Sequence, residues 1–249
     1  MMDFHCHLDL YPNAREVYAK ANRLMDFTWL VTTSPRAFTA TSNVLPPTAS
    51  IIVSPGLHPE VAAQKAQELE LLLQQMNESM AVGEVGLDGS ARYRQHFDLQ
   101  KSIFSAVVER AQTLGGRVLS IHSRAAANAV LEVLEQFPGF GTAVLHWFTD
   151  SAPTLRRAVS MGCWFSVGPA MLSSANGRKL ASMLPFDRVV PESDGPFAKV
   201  DSTPLMPWDA GSIARPLAEL WGMSPTAASE IFARNGDILR SRLTYKPRS

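Results

Sequence analysis

The sequence predicts an α/β protein with a TIM-type (β/α)8 barrel fold. Three observations support this fold: a length of 249 residues, eight short apolar runs, and longer helix-like stretches between them. Strands that alternate with helices form parallel βαβ units, and eight such units close a barrel. The alternative is a doubly wound open sheet, but no glycine-rich phosphate loop follows the first strand. We therefore expect a single barrel domain over residues 1–249.

The eight predicted strands are short runs rich in β-branched and aromatic residues, bounded by polar or turn residues. In chain order they are Met2–His5, Phe27–Thr32, Ser50–Ser54, Met80–Val85, Arg117–Ile121, Thr142–His146, Cys163–Val167 and Arg188–Glu192.

Helices are predicted where apolar residues recur on one face or where Ala, Glu, Gln and Leu dominate. They are Ala62–Met76, Arg92–Leu114, Ala125–Gln136, Pro153–Met161, Asn176–Leu184, and two or three helices within Trp208–Arg242. Irregular loops are predicted at Val44–Pro47 and Lys199–Pro207. We expect the charged segment Arg240–Arg248 to be solvated.

The composition limits the classes of function. Lys plus Arg and Asp plus Glu are 23 each, so the formal net charge is zero, which argues against a protein that coats duplex DNA. Two cysteines, Cys6 and Cys163, do not make a disulfide framework. The first residues lack the pattern of a secretory signal, and no apolar run reaches the roughly 18–20 residues that cross a bilayer. We expect a soluble, cytoplasmic protein without a membrane partner.

Ionisable residues lie at the ends of five of the eight predicted strands, and barrel enzymes build their sites at these C-terminal strand ends. The residues are His5 and His7 at the end of the first strand, Glu84 of the fourth, His122 of the fifth, His146 of the sixth and Asp194 of the eighth. A single histidine at a strand end is more often structural than a metal ligand. A coincidence of six such residues at five strand ends is much rarer, and predicts one metal centre.

The first histidine pair indicates how this centre is built. Residues two apart on a strand face the same side, so His5 and His7 can both point inward while Cys6 points away. Imidazole and carboxylate ligands suit Zn, Mn, Fe or Ni, and also Mg where carboxylates and water dominate. Glu84 is a suitable bridge between two divalent ions. Two such ions can share a hydroxide and neutralise charge on a phosphodiester, with Asp194 accepting the proton.

Six motifs in order carry a resemblance to a known family. They are Asp3-Phe4-His5-Cys6-His7-Leu8-Asp9, Gly56-Leu57-His58-Pro59, Gly83-Glu84-Val85-Gly86-Leu87-Asp88, Ile121-His122-Ser123-Arg124, His146-Trp147-Phe148-Thr149 and Glu192-Ser193-Asp194-Gly195-Pro196. The chain resembles the TatD-type metal-dependent deoxyribonucleases, which are amidohydrolase-like barrels. The resemblance implies 3′-to-5′ exonuclease action on DNA, at ends or on single strands, with Mg or Mn as the usual metals.

The resemblance also divides the ligands between two ions. It implies that one ion is bound by His5, His7, Glu84 and Asp194, and the second by Glu84, His122 and His146. Glu84 and Asp194 are then the expected catalytic residues.

The sequence departs from the family pattern at several places. Trp147 to Asp150 stand where the family commonly has Cys-Phe-Ser-Gly, and Gly89 replaces a frequent tyrosine. The loop after Asp194 is short and lacks an Arg-rich, Asn-Glu-Pro segment. These variations resemble the TatD-like component of Qat anti-phage defence systems, which implies partner proteins.

Further residues near the strand ends have two interpretations each. His58 and Arg124 could contact a substrate phosphate, or they could be a loop histidine fixed by a proline and an ion-pair partner at a helix start. Asp88 and Glu192 could orient histidine N–H groups, or cap backbone turns. Trp147 and Phe148 could stack on a base or belong to the core.

Two other functions stay open at this point. The first is an amidohydrolase that acts on a small amide, ester or lactone, although no lysine lies near Glu84 to form the carboxylated bridge of many such barrels. The second is a non-catalytic, partner-dependent subunit of a defence complex.

Overall fold

The computed structural model describes residues 1–244 and confirms the predicted barrel of parallel strands. Each strand begins and ends within one residue of its predicted bounds. Over the described residues the barrel strands are β1 Met2–Cys6, β2 Phe27–Val31, β3 Ile51–Ser54, β4 Ala81–Gly86, β5 Arg117–His122, β6 Gly141–His146, β7 Trp164–Val167 and β8 Val189–Pro191.

Backbone hydrogen bonds close the barrel at two seams. Parallel pairing joins neighbouring strands in sequence order within two sets, β1–β3 and β4–β8. The first seam lies where the β1–β3 set meets β4. There, Thr32 N donates to Gly83 O at 3.0 Å and Glu84 N donates to Thr32 O at 3.1 Å. At the second, Asp194 N donates to His5 O at 2.9 Å. Both seams involve residues at the C-terminal ends of strands, so closure of the barrel brings the predicted site residues together.

Helices follow the strands as the alternating pattern requires. They are α1 Ala14–Leu24, α2 Pro35–Val44, α3 Ala62–Lys65, α4 Leu69–Gln75, α5 Phe97–Thr113, α6 Ala127–Gln136, α7 Ala152–Ser160, α8 Pro169–Leu172, α9 Ala175–Ala181, α10 Ala214–Trp221 and α11 Pro225–Thr244. The predicted helix 62–76 is interrupted by a 3-10 turn, Ala66–Glu68. Helix starts have local causes: Ser34 precedes α2, accepts from Ala37 N at 3.3 Å, and is followed by a proline suited to the first turn.

Two segments that were predicted to be irregular or solvated contain regular secondary structure. Lys199–Pro207, predicted as an irregular loop, contains a small antiparallel hairpin of β9 Lys199–Val200 and β10 Thr203–Pro204. Asp201 and Ser202 both have positive φ, 49° and 67°, as the turn of a two-residue hairpin requires. The predicted solvated tail begins inside α11, where Arg240 donates to Ala49 O at 2.9 Å, and residues 245–248 lie outside the described residues.

The barrel interior has an apolar lower layer. It includes Phe4, Phe27, Trp29, Ala81, Val118, Val144, Trp164 and Val190, all buried, with Leu239 and Leu243 of α11 packed against them. A second, larger cluster fills the space between β4–β8 and the surrounding helices. Burial on both faces explains why the strands are continuous apolar runs. Within residues 1–244, no helix is both long and apolar enough to cross a membrane.

Candidate metal centre

Along two strands, side chains on the interior side change from apolar to polar at two-residue steps. On β5, Val118 belongs to the apolar layer, and Ser120 and His122 follow at two-residue steps on the same side. On β6, Val144 is followed in the same way by His146. The polar residues therefore form a layer at the C-terminal end of the barrel, where TIM-barrel enzymes carry their active sites.

The other two ligand-bearing strands reach this layer through irregular pairing. The register of β1 against β2 shifts between Asp3 and Cys6, and that of β4 against β5 shifts between Val82 and Val85. Such irregularities bend a strand and redirect its side chains, and they are common beside active sites. His5 and Glu84 lie within these two shifts.

Glu84 is the centre of the cluster and is only 1% exposed. Its Oε2 atom lies 3.4 Å from His5 Nε2 and 3.1 Å from His7 Nε2. The same two nitrogens lie 3.7 and 3.9 Å from Asp194 Oδ1. One oxygen of Glu84 therefore faces His5 and His7, whose Nε2 atoms also lie near the aspartate after β8.

The second oxygen of Glu84 faces a different set of histidines. Glu84 Oε1 lies 3.0 Å from His58 Nε2, 2.9 Å from His122 Nδ1 and 2.9 Å from His146 Nε2. His58 was predicted as a substrate-binding residue, and the structure brings it into contact with Glu84 itself. The structure thus groups five of the six histidines of the chain around one carboxylate.

Unpaired ring nitrogens show that this cluster suits a cation. Within the described part of the chain, His5 Nε2, both ring nitrogens of His7 and His146 Nδ1 are buried without a hydrogen-bond partner. A buried polar atom of this kind costs about 1–3 kcal/mol unless something pairs with it. His5, His7 and Glu84 have ligand atoms within 4.8 Å of one another, as do His58, Glu84 and His122. Imidazole with carboxylate is a donor set suited to divalent transition metals.

Hydrogen bonds from neighbouring residues fix two of these rings. Ser120 Oγ lies 2.7 Å from His5 Nδ1, and Asp88 Oδ2 lies 2.9 Å from His122 Nε2. In each ring, the nitrogen that points away from Glu84 makes the hydrogen bond and the other nitrogen faces Glu84. This is the usual arrangement around metal-binding histidines. Burial acts to lower the pKa of His122, but its hydrogen bonds with Asp88 and Glu84 raise that pKa to about 9. A proton must therefore leave this ring before it binds a cation.

The other predicted orienting residue makes mainly backbone and hydroxyl contacts. Glu192 accepts hydrogen bonds from Trp147 N at 3.1 Å and from the Ser166 hydroxyl, and its nearer oxygen lies 3.8 Å from His146 Nδ1. Burial, followed by the nearby charge of Asp194, raises the pKa of Glu192 well above its ordinary value. Glu192 therefore secures the turn after β6 and contacts His146 only at longer range.

The protonation states of the central residues fit cation binding. Burial acts to raise the pKa of Glu84, but the charges of the surrounding rings, chiefly His58 and His146, hold it well below its ordinary value. Burial lowers the pKa of His5 well below its ordinary value and raises the pKa of Asp194 to about 6. At neutral pH Glu84 is thus a carboxylate and His5 is neutral, as metal ligands must be.

Asp194 has a strained backbone that the neighbouring chain holds in place. Its φ of 48° lies in the left-handed region, which non-glycine residues rarely adopt. The preceding Ser193 donates from its N and its hydroxyl to the buried carboxylate of Asp3, at 3.0 and 2.6 Å. Strain of this kind concentrates at functional sites, where surrounding contacts impose it.

The cluster opens into a cavity of about 660 Å³ at the C-terminal end of the barrel. Arg124, exposed on the rim, is the only Lys or Arg among the lining residues found within residues 1–244. Trp147 and Phe197 also line the cavity. Phe148 is 1% exposed and packs edge-on against Phe165, so of the two aromatics after His146 only Trp147 is available to a ligand.

Sequence analysis missed two residues of this site. Ser120 could have been found, because it lies two residues before His122 on the same strand and so faces the same side. Phe197 carried no sequence signal, since a lone aromatic in a loop after a strand is common.

A closed eight-stranded barrel with histidines and carboxylates converging at its C-terminal mouth defines the class of metal-dependent hydrolase barrels. The family model described as TatD related DNase matches residues 2–239. The chain belongs to this TatD family, as its motifs predicted.

Individual relatives support the same assignment. An uncharacterized metal-dependent hydrolase of Buchnera aphidicola is 26% identical, with 90% of each chain covered. The 3′-5′ ssDNA/RNA exonuclease TatD of Erwinia tasmaniensis is 29% identical over 57% of this chain and 57% of its own length. The crystal structure of YJJV, a TatD homolog from Escherichia coli, has a TM-score of 0.85 at 23% identity, covering 99% of this chain and 98% of that one. The chain thus spans little more than half of the Erwinia protein, and the YJJV structure shows the shared fold.

Proposed function

We propose that this protein is a metal-dependent phosphodiesterase that removes nucleotides from the 3′ ends of DNA, using two divalent ions. One observation carries the proposal: the two oxygens of Glu84 face two separate sets of histidines, with unpaired ring nitrogens among them. A carboxylate placed between two nitrogen-rich sets is suited to bridge two cations. Mg or Mn are the expected ions, and Zn, Fe or Ni also fit the imidazole ligands.

The residues divide between the two positions as their contacts do. His5, His7 and Asp194 with Glu84 Oε2 would hold one ion, and His122 and His146 with Glu84 Oε1 would hold the other. His58 lies as close to Oε1 as these two histidines, so it would bind or flank the second ion. When bound, such ions lower the pKa of water and offset charge on a phosphate.

The chain's own groups supply the remaining steps of hydrolysis. Asp194 lies within 4 Å of His5 and His7 and takes the proton from the attacking water. As the water oxygen bonds to phosphorus, the bond from phosphorus to the 3′-oxygen of the preceding nucleotide breaks, and this oxygen takes the proton that Asp194 returns. Arg124, at the rim, binds the non-bridging phosphate oxygens with its planar fork. The products are a 5′-nucleotide and a shortened strand with a free 3′-hydroxyl.

A phosphodiester fits this mouth better than a small amide or lactone. Arg124 offers a fixed positive charge that a phosphate anion needs and a neutral amide does not. No lysine lines the cavity in the described chain, so the carboxylated-lysine bridge of many amidohydrolases has no counterpart here. DNA is the favoured polymer, because the family is described as DNases and the Erwinia relative as acting on single-stranded DNA or RNA.

The test is nuclease activity of the purified protein on 5′-end-labelled single-stranded and duplex DNA, with Mg or Mn, beside Glu84→Gln. We expect stepwise shortening from the 3′ end, reduced at least 100-fold in the variant. Glu109→Gln, at an exposed position on α5, is the matched control and should retain full activity. Hydrolysis of esters or amides without any shortening of DNA would refute the proposal. Bound metal without any hydrolysis would favour the partner-dependent subunit.

Three further predictions accompany this proposal and rest on the resemblance or on the sequence alone. They are a role with partner proteins in an anti-phage defence system, a cytoplasmic location, and a single domain over residues 1–249. Each stays a prediction.

A further inference from the structure

Phe197 is a large apolar side chain left exposed beside the metal centre. It is 59% exposed, more than any other large apolar residue of the described chain. Its ring meets the ring of His7 edge-on, with centroids 4.9 Å apart and an interplanar angle of 76°. A single exposed phenylalanine on a protein surface needs no explanation, but this one lines the cavity and touches a proposed metal ligand.

A second aromatic lies on the same side of the cavity mouth. Trp147 follows His146 and packs against a small cluster of Ala170, Ala198 and Leu205. Ala198 is the residue after Phe197, so the loop after β8 and the end of β6 form one continuous rim. Trp147 has a positive φ of 38°, and its N donates to Glu192 at 3.1 Å. These contacts hold Trp147 in place, whereas Phe197 contributes the exposed ring face.

We propose that Phe197 determines substrate specificity by stacking on an unpaired base at the 3′ end of the strand, with Trp147 supporting the same rim. This inference rests on the proposed nuclease function and names the residue that contacts the terminal base. Aromatic rings bind bases of any sequence, because every base has a π face. The protein should therefore prefer single-stranded ends without strong preference for a particular base.

The size of the cavity leads to the same preference. Its volume of about 660 Å³ is in the range of small-ligand sites, so one or two nucleotides fit and a duplex does not. A paired base reaches such a cavity only after unpairing and unstacking, which costs a few kcal/mol. A base that is already unpaired avoids this cost and gains the stacking on Phe197.

The experiment compares a complete 3′-terminal nucleotide with an abasic one on the same single-stranded oligonucleotide. Two ratios are measured. The first ratio is kcat/KM for the complete end divided by kcat/KM for the abasic end, measured with Mg or Mn. The second is the affinity for the complete end divided by the affinity for the abasic end, measured by fluorescence anisotropy in EDTA, where nothing is cleaved. Phe197→Leu keeps apolar bulk over His7 and removes the ring. We expect both ratios to fall by about 5- to 150-fold, the range for stacking of one base. Phe197→Tyr should retain the wild-type ratios.

The matched control is Phe186→Leu, an exposed phenylalanine that does not line the cavity. Its ratios should equal those of the wild type. Unchanged ratios in Phe197→Leu would overturn the stacking proposal. If the ratios are unchanged because both ends lose kcat/KM equally, Phe197 acts only by supporting His7. A wild-type protein that binds the complete end more tightly but cleaves neither would refute the nuclease function and leave stacking intact.

Discussion

Asp88→Asn tests whether Asp88 determines which ring nitrogen of His122 carries a proton. Asp88 has two tasks: its Oδ2 lies 2.9 Å from His122 Nε2, and its Oδ1 accepts from Ser90 N at 2.8 Å. An asparagine has one oxygen and one NH2 group, so it cannot accept on both sides. If the oxygen keeps the bond from Ser90, the NH2 group faces His122 Nε2. That nitrogen must then accept, and the proton moves to Nδ1.

The displaced proton weakens metal binding at the adjacent position. His122 Nδ1 lies 2.9 Å from Glu84 Oε1, and a protonated Nδ1 has no lone pair to offer a cation there. Loss of a partner that orients a metal-binding histidine typically costs 10- to 100-fold in affinity or activity, or about 1.4–2.7 kcal/mol at 1.36 kcal/mol per tenfold. We expect losses in that range in Mn affinity and in kcat/KM on single-stranded DNA.

The assay is calorimetric titration of the metal-free protein with Mn, beside steady-state kinetics. The weakened step should be that of the ion on the Oε1 side alone, so one of two binding events should shift. Asp98→Asn, an exposed residue in the first turn of α5, makes the same chemical change without a ring to orient and should behave as wild type. A folded Asp88→Asn variant with wild-type affinity and kcat would refute this account of His122.

Three further changes test the contacts that position His5 and Glu84 and the binding of metal by Glu84. Ser120→Ala removes the 2.7 Å contact with His5 Nδ1, and kcat/KM on DNA should fall about 2- to 10-fold, as for one hydrogen bond; an unchanged rate would exclude an orienting role. Gly56→Ala would place a Cβ 2.4 Å from Glu84 N, so we expect about 1–3 kcal/mol less stability and a lower Tm by calorimetry, and an unchanged Tm would contradict this close approach. In buffer whose free metal concentration is about 100 times the Kd for that metal, removal of the metal by EDTA should lower the Tm of the wild-type protein by about 5–10 °C. In Glu84→Gln, the Tm with metal and the Tm with EDTA should be equal.

The strands could be predicted because burial on both faces leaves a clear signal. β5 and β6 are short buried runs rich in apolar residues and end at a histidine, so the pattern marks both the strand and its functional end. Helices α1 and α2 gave a weaker signal and were not predicted. Only Val17 and Ala21 are buried in α1, and only Pro35 and Thr41 in α2, so neither helix shows the broad apolar face of α6.

The positions at strand ends predicted which residues cluster, whereas their division between two ions was implied only by the family resemblance. Position at a strand end placed His146 and Asp194 near each other, because parallel strands end on one face of the barrel. The sequence holds no information on which oxygen of Glu84 each ring faces. That division depends on the irregular register of β1 and β4, which no local pattern signalled. His58 was predicted only as a substrate contact for the same reason.

The unpaired nitrogens of the centre imply that folding stability comes from elsewhere in the barrel. Four buried ring nitrogens without partners among residues 1–244, at about 1–3 kcal/mol each, oppose folding of the metal-free chain. The apolar layer below them and the helix-facing core offset this cost, since both consist of fully buried side chains. Cations bound beside Glu84 would pair with two of these nitrogens, His5 Nε2 and His7 Nε2, so metal affinity and folding stability are coupled through these atoms. Substitutions in the lower layer, such as at Val118 or Val144, should therefore lower Tm without changing the Tm gained on metal binding.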